Sequence, residues 1–131
     1  MLVITIIILL LVSVLLIGAL KIASLSTSHI QVSYKRERAK LFLRSVIENA
    51  IMAIEGYKRD GKCLEKMHFK NKEFEADVFV LRYYFYKNSK DATLDCNKKL
   101  IDTPISNGYV LLKVVVYSKK VRLSKITLQR P

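Results

Sequence analysis

The chain opens with twenty residues, MLVITIIILLLVSVLLIGAL, that carry no charge, and its first ionisable side chain is Lys21. About 20 consecutive apolar residues form a helix long enough to cross a bilayer core of about 30 Å, so this stretch predicts a transmembrane helix. The pattern then changes without stopping. Between Gln31 and Glu55, Phe42, Val46, Ala50 and Ala53 form one row at helical spacing, and Leu43, Ile47, Ile51 and Ile54 form the next. Together the rows make a broad apolar stripe, with Arg36, Lys40, Arg44, Glu48 and Glu55 largely on the other side. No proline and no glycine except Gly18 precedes Gly56, where a helix stop is expected. The simplest reading is one helix from the membrane through residue 55, about 80 Å long at 1.5 Å per residue.

After the helix the period switches. Residues 57–72 (YKRDGKCLEKMHFKNK) are polar and basic and read as a connection, with His68 in a loop. Phe74, Ala76, Val78 and Val80 then alternate with Glu75 and Asp77 and lead into LRYYFY, a strand signal rich in β-formers. Alternation along that strand sets Tyr84 and Tyr86 opposite to Tyr83 and Phe85. The following NSKDATLDCNKKLIDTPISNG is loop-like, with turn chemistry at Asn107-Gly108. YVLLKVVVY (109–117) and VRLSKITL (121–128) read as two strands joined by a short turn at Ser118-Lys119-Lys120. The expected fold is α+β: a long N-terminal helix, membrane-spanning in its first half and amphipathic in its second, packed on a small antiparallel sheet of about three strands. A sheet of this kind has one face to bury, and Phe42, Leu43, Val46, Ile47, Ala50, Ile51 and Ile54 are the residues expected to cover it. The chain is accordingly divided into a transmembrane or assembly helix, 1–24, and an amphipathic helix with its β domain, 25–131.

Charge narrows the range of partners. The chain has 131 residues with a formal net charge of +12, none of it in the first twenty. That excess favours nucleic acid, anionic lipid headgroups or acidic proteins without choosing among them. Lys119, Lys120 and Arg122 are candidate contacts to DNA phosphates, with the aromatic run Tyr83 to Tyr86 as a candidate stacking surface. Cys63 and Cys96 sit in no CxxC, and no His/Cys ligand spacing surrounds them, so zinc is not expected. In an oxidising compartment they could form one disulfide, worth about 3–4 kcal/mol by the chain-entropy model; elsewhere they would be two ordinary thiols. His29 and His68 lie in unrelated contexts, with no nucleophile pattern, Gly-rich phosphate loop or metal-ligand cluster. No enzymatic activity, cofactor or small-molecule substrate is expected. In the apolar segment Ser13, Gly18 and Ala19 are small residues at which another helix could approach closely.

The apolar segment reads as an anchor more than as a cleaved signal, because it lacks a basic start and its core exceeds the usual 7–15 residues. A cleaved secretory signal would leave a mature start near Ser24. Orientation is contested within the sequence. Lys21, Lys35, Arg36, Arg38 and Lys40 all follow the span, which by the positive-inside rule would hold the domain in the cytoplasm; the cysteine pair leans the other way.

An apolar-then-amphipathic helix, a connecting loop, an antiparallel sheet and a cysteine pair together resemble a type IV pilin or the pseudopilins of type II secretion and DNA-uptake systems. The resemblance covers the whole layout and is most specific over KRERAKLFLRSVIENAIMAIEGYKR, with Cys63 after it and the ending RLSKITLQRP. It implies a small minor pilin-like subunit in the bacterial inner membrane, with its soluble domain in the periplasm. Its partners would be other pilin-like subunits, met through the N-terminal helix, and an inner-membrane assembly platform, with DNA a further candidate. It also implies a Cys63–Cys96 bridge tying the post-helix loop to the later one. Family members carry a short basic leader ending in glycine, removed by a prepilin peptidase; such a leader ahead of Met1 would remove the orientation conflict. The family's usual glutamate, counted from Met1, falls on Thr5, which would suit a capping or initiating place in a filament. The reading from another class is a single-pass membrane protein whose basic cytoplasmic domain binds nucleic acid or anionic lipid.

Overall fold

The computed structural model describes residues 1–57, 62–102 and 108–131. They group into two units, Met1–Arg36 and Glu37–Pro131. One helix, α1 (Leu2–Gly56), begins in the first and ends in the second. Throughout the first unit the side chains are exposed. Its hydroxyl groups turn back on the helix: Thr5 donates to the carbonyl of Leu2 and Ser13 to that of Leu10, each at 2.7 Å, and Ser24 to that of Lys21 at 2.9 Å. The surface these residues present is therefore apolar even where the sequence has an alcohol.

In the second unit the last turns of α1 lie on one face of a sheet. Ala39, Leu43, Val46, Ile47, Ala50 and Ile54 are buried, and Phe42 and Ile51 are half-buried against the same core. Burial begins at Ala39, one turn before the stripe read from periodicity, and continues through Ile54, leaving Ala53 exposed. The sheet has five strands: β1 (Lys66–Lys70), β2 (Glu75–Tyr86), β3 (Lys98–Ile101), β4 (Gly108–Tyr117) and β5 (Arg122–Gln129). Its order is β1-β2-β4-β5, all antiparallel, and the short β3 runs parallel to the second half of β2. One edge of β2 is thus shared, with β1 along Glu75–Phe79 and β3 along Tyr83–Tyr86. The core-facing positions are Ala76 and Val78 on β2, then Tyr83 and Phe85, with Val110, Leu112, Val114 and Val116 on β4.

The strand count exceeds the expected three, because β1 and β3 fall in stretches that look like loop. In β1 only Met67 and Phe69 point inward, between Lys66, His68 and Lys70, so a period of two is hidden in a basic run. His68 is therefore a strand residue, not a loop residue. The hairpin into β2 turns on Asn71, whose side-chain oxygen accepts from the backbone N–H groups of Glu73 (2.8 Å) and Phe74 (2.7 Å), the usual use of Asn in a turn. In β3 four residues, KKLI, are too few to show any period. The expected turn at Asn107 lies outside the described residues. Gly108, which follows it, has φ +150°, and a Cβ there would collide with the carbonyl of Tyr84 on the paired strand, so only glycine fits.

The core makes unequal demands on the two faces. Leu112→Ala, at a fully buried position, is expected to cost about 2–5 kcal/mol, while Leu128→Ala on the exposed face is expected to cost under about 0.5 kcal/mol. Urea unfolding of the full chain in detergent measures both, and equal costs would contradict this assignment of the faces.

Candidate functional site

Three regions carry the candidate residues. In the apolar segment Gly18 and Ala19 are neighbours, whereas Ser13 is five positions earlier, about 140° away around the helix. The three do not make one stripe. A Cβ at Gly18 would meet nothing within 4 Å, so the position is open surface, and the Ser13 hydroxyl is already committed to Leu10.

The second region is the junction beside the midpoint of β2. Cys63 and Cys96 form a disulfide with Cα atoms 5.6 Å apart, joining the segments that lead into β1 and β3. The register between β2 and β4 shifts between Val80 and Arg82, leaving Leu81 as the extra residue of a bulge. The bulge moves the inward positions of β2 from even to odd numbers, which buries Tyr83 and Phe85 and leaves Arg82 outside. Residues adjoining the two cysteines tie this irregular backbone down. Asn97 donates its side-chain amide to the carbonyl of Leu81 at 2.7 Å, and Tyr83 donates its hydroxyl to the carbonyl of Leu64 at 2.6 Å. Lys98 donates its ammonium to the carbonyls of Ala92 (2.7 Å) and Leu94, closing the 3₁₀ turn Lys90–Thr93. The bonds from Asn97 and Tyr83 have no signal in the local sequence pattern, because they depend on segments brought together from a distance.

The third region is the sheet face turned away from α1. His68 on β1 and Asp77 on β2 are register partners with Nδ1 and Oδ1 2.8 Å apart, and beside them Lys70 meets Glu75 at 2.6 Å. The hydrogen bond from His68 holds the Asp77 carboxyl below the usual carboxylate range against the opposing cost of its partial burial, and nearby Lys66 adds to the lowering. The Lys70 hydrogen bond lowers Glu75 in the same way. Lys66 also sits 5.2 Å above the ring of Phe79. At one end of this face Lys119 and Lys120 are exposed in the β4–β5 turn, which is closed by the Ser118 N–H donating to the carbonyl of Val121 at 2.8 Å, and Arg122 is exposed at the start of β5. The aromatic run does not gather there as one surface: Tyr83 and Phe85 stack in the core with ring centroids 5.5 Å apart, and Tyr84 and Tyr86 are half-buried on the opposite face. Among the described residues no group of three His, Cys, Asp or Glu side chains is placed to hold a metal.

Among the described residues one helix, α1, is long and apolar enough to cross a membrane, and none of its most apolar window is buried. The chain has a long N-terminal apolar helix, an α+β core and a disulfide, a layout compatible with a pilin-like fold. No protein-family model matches the chain, and no curated protein or solved structure matches it either.

Two measurements probe this geometry. Reducing the Cys63–Cys96 bridge in the full chain is expected to lower its stability by about 2–4 kcal/mol, read by urea unfolding with and without reductant; an unchanged midpoint would show that the bond constrains nothing. Because the folded Asp77 carboxyl is the stronger acid, its contribution is whole above the unfolded value of about 3.9 and is lost as pH falls through the lower folded value. Asp77→Asn should therefore flatten the loss of stability below about pH 4, read by urea unfolding as a function of pH.

Proposed function

We propose that the chain is a minor pilin-like (pseudopilin) structural subunit of a bacterial type II secretion, type IV pilus or competence DNA-uptake apparatus. The observation that carries this reading is the continuity of α1. A single helix begins as an exposed apolar segment and ends as the stripe Ala39–Ile54 that completes the core of an α+β domain. Such a helix suits two environments in turn. In the bilayer residues 1–24 anchor the subunit. In a filament their apolar surface is covered by the helices of other subunits, and because lipid provides no hydrophobic push between helices, small residues such as Gly18 and Ala19 help by allowing close packing. The inner-membrane assembly platform is where that transfer would occur. The disulfide supports a periplasmic position for the domain, since such bonds persist in oxidising compartments.

A second reading, a single-pass protein with a cytoplasmic basic domain that binds nucleic acid or anionic lipid, is favoured by the run of Lys21, Lys35, Arg36, Arg38 and Lys40 after the span. Thiol labelling separates the two. In intact cells a membrane-impermeant reagent is expected to modify Cys63 and Cys96 only after treatment with an impermeant reductant. Thiols already reduced, and reached only after the membrane is broken, would support the cytoplasmic reading instead.

A further inference from the structure

Strand β5 ends the sheet. It pairs with β4 along all eight residues and with no other strand among the described residues. At about 3.3 Å per residue its outer edge offers about 26 Å of backbone N–H and C=O groups. Proteins usually blunt such an edge with short length, a bulge or a proline. None is present here: the β4–β5 register is unbroken and the strand has no proline. The opposite margin of the sheet is divided between the shorter β1 and β3.

The guard on β5 is charge. Residues 108–131 contain Lys113, Lys119, Lys120, Arg122, Lys125 and Arg130 and no Asp or Glu. An identical strand laid along β5 would bring like charges together, which opposes a second copy at this edge. An acidic strand would meet the reverse situation. Beside the edge, between the end of α1 and β5, lies a groove of about 630 Å³ whose apolar lining includes Leu43, Ile47, Ile51 and Leu123. On its helix wall Lys40 and Arg44 offset Glu37 and Glu48, so Lys125 sets the sign at the strand. On the other side of β5, Ile126 and Leu128 are 60% and 54% exposed.

We infer that β5 accepts an extended acidic segment of a partner protein as a sixth strand. Backbone hydrogen bonds to the free edge supply affinity that is largely independent of sequence. Alternate side chains supply selectivity: those on the α1 side enter the groove beside Leu123 and Lys125, and those on the other side lie along Arg122, Ile126 and Leu128. Carboxylates facing Lys125 on the α1 side fix the register and speed encounter. This inference rests on the sheet edge and its charge, and it stands whether or not the chain belongs to a filament.

The test uses the full chain in neutral detergent micelles and a ten-residue peptide alternating valine and glutamate. Binding is read by fluorescence anisotropy and by amide hydrogen exchange across residues 122–129. The peptide is expected to bind and to slow exchange along β5. A peptide of equal charge with two valines replaced by proline, and the Lys125→Glu variant with the original peptide, should each bind at least about tenfold more weakly, while Lys72→Glu in the β1–β2 turn should bind as the native chain does. No binding, equal binding of the proline peptide, or binding without protection of β5 would overturn the inference. So would a single-stranded oligonucleotide that displaces the peptide and depends equally on Lys125 without protecting β5, since the edge would then be a general polyanion surface.

Discussion

The contact between the last turns of α1 and the inner face of the sheet is the constraint on which the folded domain depends. Val78, Leu112, Val114 and Val116 are fully buried beneath Val46 and Ile54, and Ala39, Ala50 and Ala76 have no exposed surface at all. The alanines matter for their size, because single-carbon side chains keep the layers close while the valines and leucines fill the remaining space. Phe42 and Phe74, stacked with centroids 5.8 Å apart, close the core at the turn that leads into β2. Nearby Arg38 reaches Glu73 at 2.8 Å, an exposed pair whose own contribution is small. Among the described residues α1 is the one α-helix that covers the sheet, so one face is buried and the other is where charge and tyrosine collect.

Keeping that inner face apolar along all of β2 requires a change of phase. The first half of the strand offers apolar residues at even positions and the second half offers aromatics at odd ones. A regular strand of twelve residues would bury Arg82. The bulge at Leu81 removes the conflict and leaves a carbonyl to be satisfied, which Asn97 does. The disulfide, the Tyr83 hydroxyl and the Lys98 ammonium hold the flanking segments in the positions this repair needs. The cysteine pair is thus part of the device that lets one strand serve the core with two different phases. In a domain of this size, a covalent tie between segments 33 residues apart also restricts the unfolded chain.

Legibility followed the range of the interaction. The helix, its apolar start, its stripe and the long strands β2, β4 and β5 repeat over many residues, so their periods stand out in the chain. β1 was obscured because its outward residues are lysines and a histidine that make the segment look like a polar connection, although Met67 and Phe69 carry the alternation. β3 had no period to detect. Among the candidate site residues, the basic turn at Lys119 and Lys120 could be located from its position between two strand patterns. The splitting of the Tyr83–Tyr86 run between two faces also follows from alternation, but which face would be buried does not, because that depends on the bulge.

Local order therefore established an α+β chain with one long helix, an apolar first part and an amphipathic last part, since side-chain period and helix-compatible composition are properties of neighbouring residues. The folded arrangement decided the rest. It gave β2 two partners on one edge, set His68 against Asp77 and left β5, among the described residues, with β4 as its one strand partner beside a groove. Each of these depends on which segments come to lie side by side, and no local pattern records that.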